Sequence, residues 1–517
     1  MWDGVKPARS SHPLRLIDAV MNQPDAINGD VGLASRRTRL DELRNRFRAH
    51  YGDGPFSVWR APARINILGE HVDYVSYLPT ASLPFASREH EMLMLYRTAP
   101  DKRVRGASTH DAYAPFAFDL RDGPPPSDST EPAWLAYLIN SAIPAPHWSN
   151  YVKGAAFFAG LKYGEHVRHG FDFLIDSNIP PSGGASSSSA LTVLAGAALR
   201  EVNHIRSQPD ELARESAQAE WFLGTRGGAM DHLTICLARR HRAVHIRYAD
   251  HRSELAPLPG DDFRWVTFFT HAADKGRDVM LEYNERAAVS RLLIPAMLGD
   301  WQRHRPALAE AWADALKRMN DAPPAALDQL ESLLAELPAQ ITFAEVACRN
   351  KEVFAECELA FPTLVAARRE QPLKLRARAR HHVTETRRVA EAVRLLRATF
   401  DADAAPGTES IDDCMRKLGG LINASHESLR DLYDVSTPEV EELMKVLRAD
   451  ANVYGARLMG GGFGGNLLAL TKVSNVTQLI EQVQAEFYDP RGRDCLNEGA
   501  VMVSTSGDGL SLVDGES

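Results

Sequence analysis

The chain has 517 residues, 44% of them apolar and 25% charged, with a formal net charge of −9. This balance suits a soluble globular protein of two to four domains, and it gives nucleic acid or an anionic membrane no global attraction. The five cysteines, Cys236, Cys348, Cys357, Cys414 and Cys495, fit neither a zinc site nor a disulfide framework, and no apolar run is of signal-peptide or membrane-spanning type, so a cytoplasmic protein is expected.

Residues 1–40 are mixed and polar and read as a loosely attached extension. Residues 40–51 have helical spacing, and 56–60 and 65–68 read as two strands separated by Pro62. A strand is expected at 92–96, a surface loop at 122–132, a helix at 152–163 and a strand at 171–175. Pro180 and Pro181 end that strand, a glycine and serine run follows, and 190–202 is strongly helical. A buried strand is expected at 265–270. Helices dominate 281–399, with 308–337 reading as a hairpin that turns at Pro323 and Pro324. The next firm strands are 466–471 and 500–504, with helix at 478–488 between them. The order is an α/β half, a helical middle and a final α+β segment.

Residues 178–191 read NIPPSGGASSSSAL. Gly183 and Gly184 let the backbone turn tightly and approach a ligand, Ser186 to Ser189 supply hydroxyls and unobstructed amides, and the following helix offers its positive end. That is a reasonable phosphate cradle, although it has neither the Walker ending nor dinucleotide-type glycine spacing. A flexible linker with a serine helix cap is the plainer alternative.

A second polar cluster surrounds a short apolar strand in RINILGEHVDY, residues 64–74: Arg64, Glu70, His71 and Asp73. Such a set of donors and acceptors suits a polyhydroxylated ligand, because an unmatched hydroxyl in a pocket costs binding. Asp231 lies in GTRGGAMDH, residues 224–232, after a helical segment that contains Glu220. Arg64 could hold the Asp231 carboxylate. Surface ion pairing, helix capping by Asp73 or Asp231, and metal ligation by His71 are the competing readings. A third run, GARLMGGGFGGNLLAL at 455–470, is by itself an ordinary structural turn, and gains weight only beside the other two.

Together these segments resemble the GHMP kinase superfamily, and RINILGEHVDY resembles the sugar signature of its galactokinase branch. WSNYVKG (148–154), ARHHVTETRRV (379–389) and KLGGLINASHESLRDLYDVSTPEVEEL (417–443) extend the resemblance. It implies an α+β, two-lobed fold: a ribosomal-protein-S5-like α/β lobe over 41–265, and an α+β lobe over 266–517 with a helical insertion near 301–370. It implies phosphorylation of the anomeric hydroxyl of galactose by ATP with Mg2+, and no obligate protein partner. In that scheme Asp231 is the catalytic aspartate and Arg64 its partner. Glu70, His71, Asp73 and Tyr283 bind the sugar. Gly183, Gly184, Ala185, Ser186, Ser187 and Ser188 wrap the phosphates, and Ser188 and Glu220 hold the magnesium ion. The chain departs from the family pattern at Ser182, Ala185, His232 and His271-Ala272, and in VSYLPTASLPFA (75–86), where Tyr77 is expected to crowd the sugar. These departures keep open L-arabinose, N-acetylgalactosamine or a uronic acid as substrate, and a non-catalytic sugar and ATP sensor.

Overall fold

The computed structural model describes residues 30–141, 144–180, 184–224, 227–272, 277–319, 323–401 and 410–513. Helix α1 (Asp30–Tyr51) opens the described chain. Leu40, Leu43 and Phe47 recur at helical spacing and pack on Val58, Leu93, Leu95 and Leu174 of the sheet beneath. Arg36 also donates to Glu91 at 2.8 Å, so the segment read as a loose extension is docked from at least that residue onward. Residues 1–29 lie outside the described chain.

Strand β1 (Ser57–Asn66) is continuous, where two strands were expected. Pro62 sits where the pairing register shifts, between Pro62 and Arg64, and a bulge tolerates the missing N–H. β2 (Pro84–Thr98), β3 (Arg103–Ser108), β4 (Phe116–Asp119) and β5 (Phe171–Ser177) join it. The spatial order is 511–512, β1, β2, β5, β3, β4, with Ser506 and Gly507 pairing on β2. The β3–β5 pairing is parallel. The loop expected at 122–132 ends early, because helix α2 (Thr130–Asn140) takes in Pro132 within its first turn, where a proline is tolerated.

Helices α3 (Ser149–Tyr163), α4 (Ser187–Val202), α5 (Pro209–Ala219) and α6 (Met230–Leu237) cover the inner face of this sheet. α4 is apolar nearly all round, which places it inside the lobe and points its first turn at β1.

The second sheet is built from β6 (Phe263–Phe269), β7 (Val453–Met459), β8 (Asn466–Lys472) and β9 (Val501–Ser504), in the order β7-β8-β6-β9. β7 escaped the sequence reading because Arg457 interrupts its apolar run. Helices α7 (Arg277–Ala288), α8 (Leu375–Phe400) and α9 (Ile411–Asp431) frame the polar interior described below.

Five helices between Pro306 and Arg368 form a further core with Trp301, Trp312, Leu330, Phe343 and Leu364. The helical hairpin falls at Pro306–Arg318 and Pro323–Leu333, with Pro323 opening the second helix. Val75 and Leu78, from the segment after Asp73, insert into this core and tie it to the first lobe. No helix among the described residues is long and apolar enough to cross a membrane.

Candidate functional site

The three polar motifs meet. Arg64, at the inner end of β1, donates Nε–H to Asp231 Oδ1 at 2.7 Å and Nη1–H to the Gly184 carbonyl at 3.0 Å. Its backbone N–H donates to the Ala185 carbonyl at 3.2 Å. Ser186 Oγ donates to Asp231 Oδ2 at 2.5 Å. Both carboxylate oxygens of Asp231 are therefore held, one by a guanidinium and one by a hydroxyl of the serine run. On the far side, a methyl group built on Gly184 would stand 3.4 Å from the Met459 carbonyl, at the head of the third glycine run.

Ser186 takes a left-handed backbone, φ 63°, and precedes the first residue of α4. It makes no side-chain cap, because its hydroxyl is spent on Asp231. The N-cap side chain therefore leaves the first-turn amides of α4 uncapped, which suits a helix N-terminus that meets an anion. Gly184, Ala185, Ser187 and Ser188 line the same turn, and Gly183 lies outside the described residues.

Burial alone would raise the pKa of Asp231. The Arg64 charge and the hydrogen bonds from Arg64 and Ser186 reverse that and hold the carboxyl below its ordinary value. Arg64, 4% exposed, is held above its ordinary value: burial opposes this, but Asp231, Glu70 and Asp73 outweigh it.

The turn after β1 carries Glu70, His71 and Asp73. It requires Gly69, whose φ is 89° and where a Cβ would stand 2.5 Å from the Ala81 carbonyl. Glu70 Oε2 accepts from Asn66 Nδ2 at 2.9 Å and from Arg457, and Oε1 has no partner among the described residues. His381 donates to the Glu70 carbonyl at 3.1 Å, and Glu385 accepts from the Gly69 N–H at 2.8 Å. The His71 ring lies 6.2 Å from that of Tyr283, and its Nε2 is buried without a partner. Tyr283 in turn faces Gly461 of the third glycine run.

Asp73 packs against the loop before Asp231: a Cβ on Gly228 would stand 2.2 Å from its Oδ2, so that position admits only glycine. Burial first, then the neighbouring Asp231 and Glu70 charges, push its pKa up to about 6, with Arg291 opposing. The raised folded value means that Asp73 stabilises the empty fold below about pH 4, and that this contribution is lost as pH rises through about 6. Ligand binding that uses the ionised carboxylate has the opposite dependence. Binding of a hydroxylated ligand should therefore strengthen with pH through a limb near 6, and Asp73→Asn should abolish that limb. A pH series of equilibrium binding on the two proteins checks this.

Ser188 and Glu220 lie on either side of Thr192, whose Oγ1 is 3.1 Å from the Ser188 backbone carbonyl and 3.2 Å from Glu220 Oε1 and can donate its one proton to either. Tyr151 links the two side chains: its phenol hydrogen-bonds with the Ser188 side chain and feels the Glu220 charge. Glu220 Oε2 has no partner among the described residues, and the side chain is 18% exposed. A hydroxyl and a reachable carboxylate oxygen are hard donors of the kind magnesium takes, usually with several waters retained.

Two positions expected to face the sugar do not. Tyr77 turns into the helical insertion, its ring 6.4 Å from that of Trp312 and its hydroxyl 2.5 Å from His382 Nδ1. His232 is buried beside Glu220, with Nε2 3.4 Å from Oε1. His271 reaches the third glycine run through its carbonyl, which accepts from Gly465 at 2.9 Å. The sequence reading missed Arg457, Glu385 and Arg291. Glu385 falls within ARHHVTETRRV and Arg457 within the third glycine segment, so both motifs pointed at the region without singling out these charges.

Three family models match the chain: the galactokinase galactose-binding signature at residues 45–82, the GHMP kinases N terminal domain at 150–239 and the GHMP kinases C terminal at 409–489. Among curated relatives, a galactokinase of Roseiflexus sp. is 29% identical over 476 residues, covering 91% of this chain and 97% of that protein. A galactokinase of Dictyostelium discoideum is 26% identical, covering 88% of this chain and 89% of its own. Among solved structures, Lactococcus lactis galactokinase complexed with galactose shares the fold, with a TM-score of 0.62, 24% identity and coverage of 91% of this chain and 99% of that one.

Proposed function

The chain belongs to the GHMP kinase superfamily, in its galactokinase branch, and from that premise we propose that it transfers the γ-phosphoryl group of ATP to the anomeric hydroxyl of galactose. The observation that carries this reading is the doubly held Asp231, which meets Arg64 and the serine turn at one point.

In this reading the triphosphate lies on the amides of Gly184 to Ser188 and the open N-terminus of α4. Galactose lies between Asp231 and the Glu70–Asp73 turn, with Tyr283 opposite His71. Asp231 is ionised at neutral pH and is a weak base. It accepts the hydrogen bond of the C1 hydroxyl, aligns that oxygen, and takes the proton only late, as the bond to phosphorus forms. A largely dissociative transfer asks for no stronger base. Arg64 keeps Asp231 charged and places a fixed cation beside the transferring group. Ser188 and Glu220 would hold a magnesium ion, which would supply neutralisation of the triphosphate charge. The five cysteines are unpaired, which supports a cytoplasmic setting.

Sugar-dependent release of ADP, with galactose 1-phosphate as product, tests the reading. Binding of galactose and ATP with no turnover of either would remove it in favour of the sensor. Glu220→Gln is expected to raise the magnesium concentration for half-maximal rate by on the order of tenfold, read by titrating the metal at fixed ATP. A carboxylate-bearing sugar is the second reading, favoured by Arg291. Its guanidinium lies 5.4 Å from the Tyr74 ring, close enough to influence Asp73 and Tyr283, and makes no ion pair among the described residues. Galacturonate beside galactose in the same assay separates the two.

A further inference from the structure

A single file of hydrogen bonds leads from the sugar turn to the helical insertion. His71 Nδ1 meets Tyr74 Oη at 3.0 Å, and Tyr74 Oη meets Tyr433 Oη at 2.8 Å. Tyr433 Oη meets Ser290 Oγ at 3.0 Å, and Ser290 Oγ meets His382 Nε2 at 3.4 Å. His382 Nδ1 meets Tyr77 Oη at 2.5 Å, and there the file ends against Trp312. Every member is neutral near pH 7. Burial pushes the His71 imidazole down to about 3 and His382 well below its ordinary value, and it pushes the phenols of Tyr74, Tyr77 and Tyr433 up.

Each hydroxyl carries one proton and each neutral imidazole one N–H, so five bonds are served by six protons, and the directions differ in which group keeps the spare one. In one, Tyr77 donates to His382, His382 to Ser290, Ser290 to Tyr433, Tyr433 to Tyr74, and Tyr74 to His71 Nδ1. Every hydroxyl proton is then used. In another, all bonds reverse and the Tyr77 proton is left without an acceptor among the described residues. The first direction leaves only the His71 Nε2–H unpartnered, whereas a reversal leaves both a hydroxyl proton and the bare His71 Nε2 unpartnered, and each unpartnered buried group is costly. A short phenol–imidazole contact also suits the more acidic phenol as donor. The first direction wins. It leaves His71 with its proton on Nε2, the buried ring nitrogen that has no partner among the described residues.

We propose that Tyr77 and His382 are positioning residues that fix His71 as its Nε2–H tautomer, making it an obligate hydrogen-bond donor to one oxygen of the sugar. This rests on the galactokinase reading for the identity of the ligand, but not for the tautomer. The oxygen that meets His71 must accept, so its own hydroxyl proton goes to a different acceptor. Tyr77, the tyrosine expected to crowd the sugar, thereby sets the polarity of a contact it does not touch, from the other end of the file.

Nitrogen-15 spectra of the unliganded full-length protein, with the His71 ring assigned by difference against His71→Gln, test the tautomer directly. The Nε2–H form is expected, and an Nδ1–H ring overturns the proposal. Tyr77→Phe leaves His382 Nδ1 bare, removes the preference for either direction, and should give a mixed His71 population. Its sugar KM should rise about tenfold, the worth of roughly one hydrogen bond, with kcat and the ATP KM unchanged. Ser290→Ala is the contrasting variant. It lies nearer to His71 and is fully buried, yet it leaves Tyr433 to donate to Tyr74 and Tyr74 to His71, so it should keep the Nε2–H form. A shift in Ser290→Ala as large as in Tyr77→Phe would mean disturbed packing and would overturn the proposal. Among monodeoxygalactoses, the one that lacks the accepting oxygen should be insensitive to Tyr77→Phe. A protein that phosphorylates no sugar but shows the Nε2–H ring removes the functional reading and leaves the relay standing. The reverse result removes the relay alone.

Discussion

Asp231→Asn is expected to lower kcat by about 10³- to 10⁴-fold, the range lost with a general acid–base group, while the ATP KM stays within about threefold. The amide cannot take the C1 proton at any stage of the transfer. It also cannot accept from Arg64 and Ser186 together: one of its two termini is an NH2, which would face a donor. Arg64 then loses its charge partner in a nearly closed site, and the oxygen it was holding is no longer fixed. The proposed nucleotide contacts are backbone amides of the serine turn, which the substitution leaves in place, so ATP binding should survive. Steady-state rates with galactose and ATP varied independently measure the split. Turnover within tenfold of wild type would remove Asp231 from the chemistry. An ATP KM that rises as steeply as kcat falls would show that the serine turn itself had collapsed.

The sequence exposed the parts of this site that depend on local backbone chemistry. Gly69, Gly228, Gly462 and Gly464 sit where a Cβ would clash, and the glycine-bearing segments that hold them are visible without coordinates. The convergence of Arg64 with Asp231, across more than 160 intervening positions, could only be inferred from the family pattern, and the two side chains are in contact. Tyr77 and Arg457 could not be read correctly, for one shared reason. Each is polar within an apolar stretch, and its meaning depends on a partner far along the chain: His382 for the first, Glu70 for the second. Periodicity reports which face of an element is buried, but not whether a buried charge is matched. β7 was passed over because an arginine in its middle reads as solvent-facing until Glu70 and Glu385 are seen around it. The helical insertion was legible as helices, and its second role, as a core that receives Val75, Leu78 and Tyr77, was not.

Arg457→Met should cost about 3–5 kcal/mol of stability, the usual penalty for stripping one partner from a buried charge cluster. The side chain is wholly buried and donates to the carbonyls of Ile67 and Leu458 at 3.0 and 2.9 Å, as well as to Glu70, with Glu385 at 3.9 Å. Methionine matches its length and apolar bulk, so the loss measures charge and hydrogen bonding more than cavity formation. What remains is two buried carboxylates with a smaller share of positive charge between them. Glu385 keeps Arg388 at 2.7 Å, while Glu70 keeps the Asn66 amide as its side-chain hydrogen bond among the described residues. Glu70→Gln in the same chain should therefore restore part of the loss. If the double variant is no more stable than Arg457→Met alone, the ion pair is not what the arginine contributes. The dependence on pH has a definite sign. Burial opposes it, but Arg388, His381 and Arg457 together bring the Glu385 pKa down to about 2, so this group stabilises the fold above its ordinary value of 4.5 and loses that contribution as pH falls toward 2. Removing Arg457 gives up part of it, so the gap between variant and wild type in denaturant titrations should be widest near neutrality and narrow below about pH 4.5. Because the same cluster supports the Gly69 N–H and Glu70, any variant that folds should also bind sugar more weakly, with the ATP KM unmoved, which ties the stability of this buried charge to the geometry of the substrate turn.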